Sequence, residues 1–129
     1  PEVLSRATCG KGQAFGLDAV EAAARLEGDL AYLDPPYNQH SYLGNYHIWE
    51  TIVRGDAPAT YGVARKRVDC RERRSPFNTR AGIRAAMQAL VDAVRAPLLV
   101  VSFSDEGYLA RPELEAMLAR RGHVRVFSF

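Results

Sequence analysis

Three short apolar runs, each preceded by a stretch of helical periodicity, constrain this 129-residue chain to strands layered with helices. The runs are Leu30 to Leu33, Leu98 to Phe103 and Val124 to Phe129. Before the first, residues 17 to 26 (LDAVEAAARL) place Leu17, Val20 and Ala24 on one side and a Glu21–Arg25 pair on another, which predicts a helix ended by Gly28. Before the second, residues 79 to 95 carry Ile83, Met87, Leu90 and Val94 along one stripe. Before the third, residues 112 to 121 begin with Pro112 and close at Gly122, the two ends a helix favours. Residues 46 to 54 (YHIWETIVR) add a short helix with Ile48, Trp49, Ile52 and Val53 on one face. Alternation of this kind predicts an α/β fold, a parallel sheet layered by helices with its functional groups at the carboxyl ends of the strands.

A chain of this length, 47% hydrophobic and 25% charged, suits one globular domain and not two cores. Three strands are few for a parallel sheet, and neither linker nor cap stands at either end, so a partial domain is expected. No run approaches the roughly 18 apolar residues of a membrane span, and the first residues lack the apolar centre of a secretion signal. A cytoplasmic protein is the expectation. Cys9 and Cys70 form no CxxC pair and read as reduced, inert thiols.

The first apolar run ends on Asp34-Pro35-Pro36-Tyr37. Neither proline can donate a ladder hydrogen bond, so the strand must stop there, at the place where ligands meet open α/β sheets. Two prolines also restrict the residue before them, which aims the Asp34 carboxylate and the Pro35 carbonyl with little freedom. Both accept hydrogen bonds, and Tyr37 offers a flat ring. This combination suits a planar heterocycle carrying an exocyclic amino group.

Leu33-Asp34-Pro35-Pro36-Tyr37-Asn38 resembles the signature of the adenine-N6 DNA methyltransferases that use S-adenosylmethionine. Similarity to bacterial DNA adenine methylases continues through Tyr42 to Thr51 (YLGNYHIWET), the basic segment that follows, and Val101-Ser102-Phe103-Ser104-Asp105. The resemblance implies a Rossmann-like, S-adenosylmethionine-dependent methyltransferase sheet, of which residues 1–129 are the catalytic-motif part. It implies that Asp34 and the Pro35 carbonyl accept the hydrogens of adenine N6, and that the adenine is flipped out of double-stranded DNA and held on Tyr37. It also implies that Asp34 lies close to the cofactor and that Asp18 matches an acidic position contacting the cofactor's adenine. The bland alternative for Asp18 is that it caps its helix. Such enzymes need a glycine-rich loop after their first strand. The only candidate, Gly10 to Gly16, follows no apolar run and lacks the usual glycine spacing, so the expected fragment lacks its amino-terminal part, or works with a partner chain.

Charge supports a polyanionic partner. Residues 65 to 84 hold eight Arg/Lys against two acids, while the rest of the chain holds nine against thirteen, so a net charge of +2 conceals a concentrated positive segment. It lies in or beside an excursion at about residues 55 to 78 where periodicity fails. Arg65, Lys66, Arg67, Arg71, Arg73 and Arg74 are the candidates for phosphate contact, with a solvated loop as the alternative. His40, His47 and His123 lack metal-ligand spacing, and the chemistry needs no metal. Trp49 is expected in the core, and Tyr42 and Tyr46 either pack there or line the base pocket. The alternatives to a DNA adenine methyltransferase are an RNA guanine-N2 methyltransferase with a similar tetrapeptide, and a truncated, non-catalytic nucleic-acid-binding remnant.

Overall fold

The computed structural model describes residues 12–128. Cys9, the beginning of the glycine-rich segment and Phe129 lie outside the described residues. Helix α1 (Ala19–Arg25) starts where Asp18 accepts hydrogen bonds from the backbone N–H groups of Val20 (2.9 Å) and Glu21 (3.4 Å). The anticipated Glu21–Arg25 pair forms at 2.6 Å, and the helix ends at Leu26, two residues before Gly28.

Strand β1 (Leu30–Leu33) pairs in parallel with the strand at Leu98–Val101, in register from Leu30 opposite Leu98 to Leu33 opposite Val101. A parallel bridge between Glu27 and Arg95 extends the ladder at one end, and the Ser102 N–H donates to the Leu33 carbonyl at the other. Between the strands run α2 (Tyr42–Asn45), α3 (His47–Arg54), the two-residue strands β2 (Thr60–Tyr61) and β3 (Lys66–Arg67), α4 (Asp69–Glu72), a 3-10 turn (Pro76–Asn78) and α5 (Ile83–Ala93). The second long strand is thus β4, and α6 (Arg111–Ala119) follows it. The result is a mixed α/β structure with a small parallel sheet.

Alternation in the strands decides what the sheet buries. Leu33, Leu99 and Val101 pack on a core built from the α5 stripe, Ile83, Met87, Leu90 and Val91, closed by Phe77, Leu109, Leu114 and Met117. Leu30, Tyr32, Leu98 and Val100 alternate to the opposite face and remain exposed.

Two expectations fail. Residues 124 to 128 form no strand with any other described residues. A strand exists through its ladder, and the alternation of Val124 and Val126 supplies side chains but no partner. The apolar face of α3 also points outward, with Trp49 64% exposed, so Trp49 is not a core residue. Periodicity identifies a helix face and says nothing of what covers it.

Candidate active site

The chain leaves β1 at Leu33 and turns immediately into the proline pair. Pro35 is buried, while the Asp34 side chain is exposed at the carboxyl end of the parallel ladder. Asp34, Pro35 and Pro36 line an open cavity of about 1030 Å³. Tyr42, Tyr46 and the segment Arg73 to Asn78 also line it, which brings the end of the basic excursion to the same cavity. Tyr42 donates its hydroxyl hydrogen to the Asp34 carbonyl at 2.9 Å. Burial, and then the negative charge of Asp34, push the pKa of that hydroxyl above its ordinary value.

The loop after the prolines is held from two distant elements. Asn78, at the end of the 3-10 turn, donates through Nδ2 to the carbonyls of Asn38 (2.8 Å) and His40 (3.2 Å). Tyr108, in the turn after β4, donates its backbone N–H to the Tyr37 carbonyl and its hydroxyl to Gln39 Oε1, both at 2.8 Å. Within the loop, the His40 N–H closes onto Asn38 Oδ1 at 3.0 Å. The Arg80 guanidinium lies 4.5 Å over the Tyr108 ring, and the Tyr37 ring packs on Phe103 with centroids 5.7 Å apart. Sequence alone does not single out Asn78, Tyr108 and Gln39, because their partners lie 38 to 71 residues away.

Downstream, Ser41 caps α2 by accepting from the Gly44 N–H at 3.0 Å. A side chain at Gly44 would put a Cβ 2.8 Å from Ser41 Oγ, so the glycine is what lets the cap close. Helix α3 ends at Gly55 with φ +61°, in the left-handed region. The β2–β3 hairpin then folds back, and Cys70 Sγ reaches the Leu43 carbonyl at 3.6 Å.

Arg67 differs from expectation. Its side chain is 4% exposed, and all of its N–H groups are engaged: Nη1 with Asp56 (2.6 Å) and Thr51 (3.1 Å), Nη2 with Asp56 (2.8 Å) and Asp69 (3.2 Å), Nε with Asp69 (3.1 Å). A guanidinium has five donors, and none is left for a phosphate. Arg67 instead ties the excursion to α3. Hydrogen bonding to Arg67 holds the Asp56 and Asp69 carboxyls below the usual carboxylate range.

The remaining basic candidates are spread over the excursion. Arg65 is exposed in the hairpin turn with φ +49°, and Lys66 is half-buried. Arg71 lies 3.9 Å over the Tyr61 ring, Arg73 is 3.6 Å from Glu50, and Arg74 lines the cavity. Asp18 also lines the cavity, so the carboxylate that caps α1 stands on the same opening as Asp34.

An acceptor-rich, proline-rigid turn at the carboxyl end of a parallel strand, on a cavity also lined by aromatic and basic residues, stands where open α/β sheets ordinarily receive their ligands. Residues 3–93 match the family described as D12 class N6 adenine-specific DNA methyltransferase, and the chain belongs to that family. It is 33% identical over 108 residues to the type II methyltransferase M.FokI of Planomicrobium okeanokoites and 29% identical over 108 residues to the modification methylase StsI of Streptococcus sanguinis. Each alignment covers 84% of this chain and 16% of the relative. The type II methyltransferase M.CviAII of Paramecium bursaria Chlorella virus 1 is 28% identical over 122 residues, 95% of this chain and 36% of its own length. The chain therefore spans a minor part of the relatives it matches. No solved structure matches it significantly.

Proposed function

We propose that this chain carries the base-binding part of an enzyme that transfers a methyl group from S-adenosylmethionine to N6 of adenine in double-stranded DNA. The observation that carries the reading is the placement of Asp34-Pro35-Pro36 at the open end of the β1–β4 ladder, on a cavity large enough for a nucleoside. Membership of the methyltransferase family implies a methyl donor. The cavity's donor set fits S-adenosylmethionine: the Asp34 carboxylate enters no ion pair among the described residues and can face a cationic, polar ligand, and Asp18 lies on the same opening. When bound, that cofactor supplies an electrophilic methyl on a sulfonium.

The residues of the chain orient the acceptor. Adenine N6 is a weak nucleophile because its lone pair is delocalised into the ring. Hydrogen bonds from its two N–H groups to the Asp34 carboxylate and the Pro35 carbonyl would favour a lone pair directed at the methyl. Held in this way, N6 would be poised to take the methyl that the sulfonium would give up, and its surplus proton would pass to solvent. Positioning and electrostatics supply the acceleration. In a duplex N6 is engaged in pairing, so the adenine is flipped into the cavity. Arg65, Lys66, Arg71, Arg73 and Arg74 supply the phosphate contacts.

The two strands are read as part of a larger Rossmann-like sheet. Parallel sheets are ordinarily covered on both faces, and the exposed face of Leu30, Tyr32, Leu98 and Val100 supports that reading. The partner for this face would be a further part of the same domain or another chain.

Incubating the protein with S-adenosylmethionine labelled in its methyl group and with duplex DNA tests the proposal. Label on adenine N6 is expected, abolished in Asp34→Ala with DNA affinity nearly unchanged. Label on guanine of ribosomal RNA instead would move the target. Folded protein that binds neither cofactor nor base would reduce the chain to a nucleic-acid-binding remnant.

A further inference from the structure

Tyr37 closes the turn that begins at Asp34, and the turn after β4 holds it in two ways. Its carbonyl accepts the Tyr108 backbone N–H at 2.8 Å, and its half-buried ring packs on Phe103 with centroids 5.7 Å apart and planes inclined at 57°. One contact fixes the backbone at Tyr37, and the other limits the rotamers of its side chain. Asn78 and the Tyr108 hydroxyl hold the next residues, through the Asn38 and His40 carbonyls and Gln39 Oε1. The loop therefore cannot carry the ring away from its brace.

The stretch Phe103 to Tyr108 is itself held. The Gly107 N–H donates to the Ser104 carbonyl at 3.0 Å and the Glu106 N–H to Ser104 Oγ at 3.2 Å, which closes the turn. A Cβ on Gly107 would stand 2.9 Å from the Ser104 carbonyl oxygen and overlap the Phe103 ring, so a glycine is what lets that ring lie against the turn. Phe103 and Tyr108 both pack on the hydrophobic core, and the Arg80 guanidinium covers the Tyr108 ring at 4.5 Å. A flat base whose amino group meets Asp34 gains from a ring already oriented, because ordering a free side chain on binding offsets part of what stacking returns.

We infer that Phe103, seated by Gly107 and Tyr108, is a positioning residue that presets the Tyr37 ring for the target adenine. The strand-end turn and the turn after β4 then act as one base-holding unit. The inference rests on the reading of Asp34 to Tyr37 as the base-binding end, with the adenine held on Tyr37. Phe103 acts through Tyr37 and has no contact of its own with the base.

The test is a double-mutant cycle read by fluorescence titration with 8-vinyl-deoxyadenosine, a fluorescent nucleoside that keeps the N6 amino group, with circular dichroism to confirm that each variant is folded. Tyr37→Leu is expected to weaken binding about five- to hundredfold, the range for loss of a base-stacking aromatic. Phe103→Leu leaves Tyr37 in place but unbraced, and should weaken binding about two- to tenfold, the cost of ordering one side chain. In Tyr37→Leu protein the same Phe103→Leu change should have no further effect, whereas a residue serving only the fold would lower affinity by the same factor in either background. Gly107→Ala, whose added Cβ displaces the Phe103 ring, should repeat the Phe103→Leu loss and decides the matter if Phe103→Leu does not fold. Parent-like binding by whichever of these two variants folds, or an equal loss with and without Tyr37, would overturn the brace. The base-binding reading would still stand if Tyr37→Leu lost affinity. Parent-like binding by Tyr37→Leu, or failure of the folded parent to bind the probe, would overturn both.

Discussion

At the scale of single residues, the site depends on two polar side chains whose partners lie far along the chain. Arg67 satisfies its full set of donors on Asp56, Asp69 and Thr51, so removing it takes from two carboxylates their hydrogen-bonded counter-charge and leaves Arg54, 3.9 Å from Asp69, as a weaker one. Because hydrogen bonds from Arg67 depress both carboxyl pKa values, the stabilisation is complete above the ordinary carboxylate range. It is lost as pH falls through the folded-state values. Arg67→Met should therefore lower the melting temperature clearly at neutral pH, and the gap from the parent should narrow below about pH 4. A gap independent of pH would mean that the carboxylates are not held by Arg67. Asn78→Asp keeps the size of the side chain but removes both donors to the loop after the prolines. Faster amide exchange at His40 and Tyr108, with α5 protection retained, is the expected result, because only local contacts are lost.

At the scale of elements, α5 carries the largest fully buried side chains among the described residues, Ile83, Met87 and Val91, and yet has no side-chain cap at its start. Its carboxyl end is held from outside: Arg121, just past α6, donates to the carbonyls of Val91, Val94 and Ala96. These carbonyls have no further turn to bond, and a cation beside them also complements the helix dipole. Arg121→Met should cost about 1–3 kcal/mol in denaturant unfolding, the range for charged hydrogen bonds to otherwise unpaired acceptors. No change would show that water replaces the guanidinium without loss. Helix α3 illustrates the opposite case. Its apolar face is regular and uncovered, while its structural attachment comes from the polar side, through Thr51 and the Arg67 cluster.

At the scale of the whole molecule, the positive segment is only partly available to a polyanion. Arg67 is neutralised by two aspartates, Arg73 is near Glu50, and Arg84 pairs with Glu113. Arg65, Arg71 and Arg74 remain as exposed charge on the excursion, with Arg74 at the cavity mouth. Charge reversal at Arg71, Arg73 and Arg74 together should weaken DNA binding and flatten its salt dependence, by about 0.9 in the logarithmic slope for each phosphate contact removed. An unaltered slope measured between low and moderate salt would take the excursion off the DNA surface. The uncovered sheet face and the basic excursion border the same strand end. Cofactor chemistry and polyanion binding would thus meet at Asp34.

Some of this was legible in the amino-acid sequence because it depends on interactions within a few residues. Proline stops fixed the end of β1, the Ile83–Met87–Leu90 stripe marked α5, and Asp18 could be seen as a helix cap without knowing any tertiary neighbour. The strand-end position of Asp34-Pro35-Pro36 was readable for the same reason, as was the family resemblance that the comparison with known proteins supports. Other features were decided only by the fold. Whether Trp49 is buried, whether residues 124 to 128 find a ladder, and whether Arg67 meets a phosphate or two aspartates depend on which distant segments arrive beside them. The turn of Tyr37 onto Phe103, leaving Tyr42 and Tyr46 on the cavity, is of the same kind. Local periodicity and backbone sterics act along the chain, whereas charge pairing and side-chain burial are settled by contacts across it, and those exist only once β1 and β4 lie side by side.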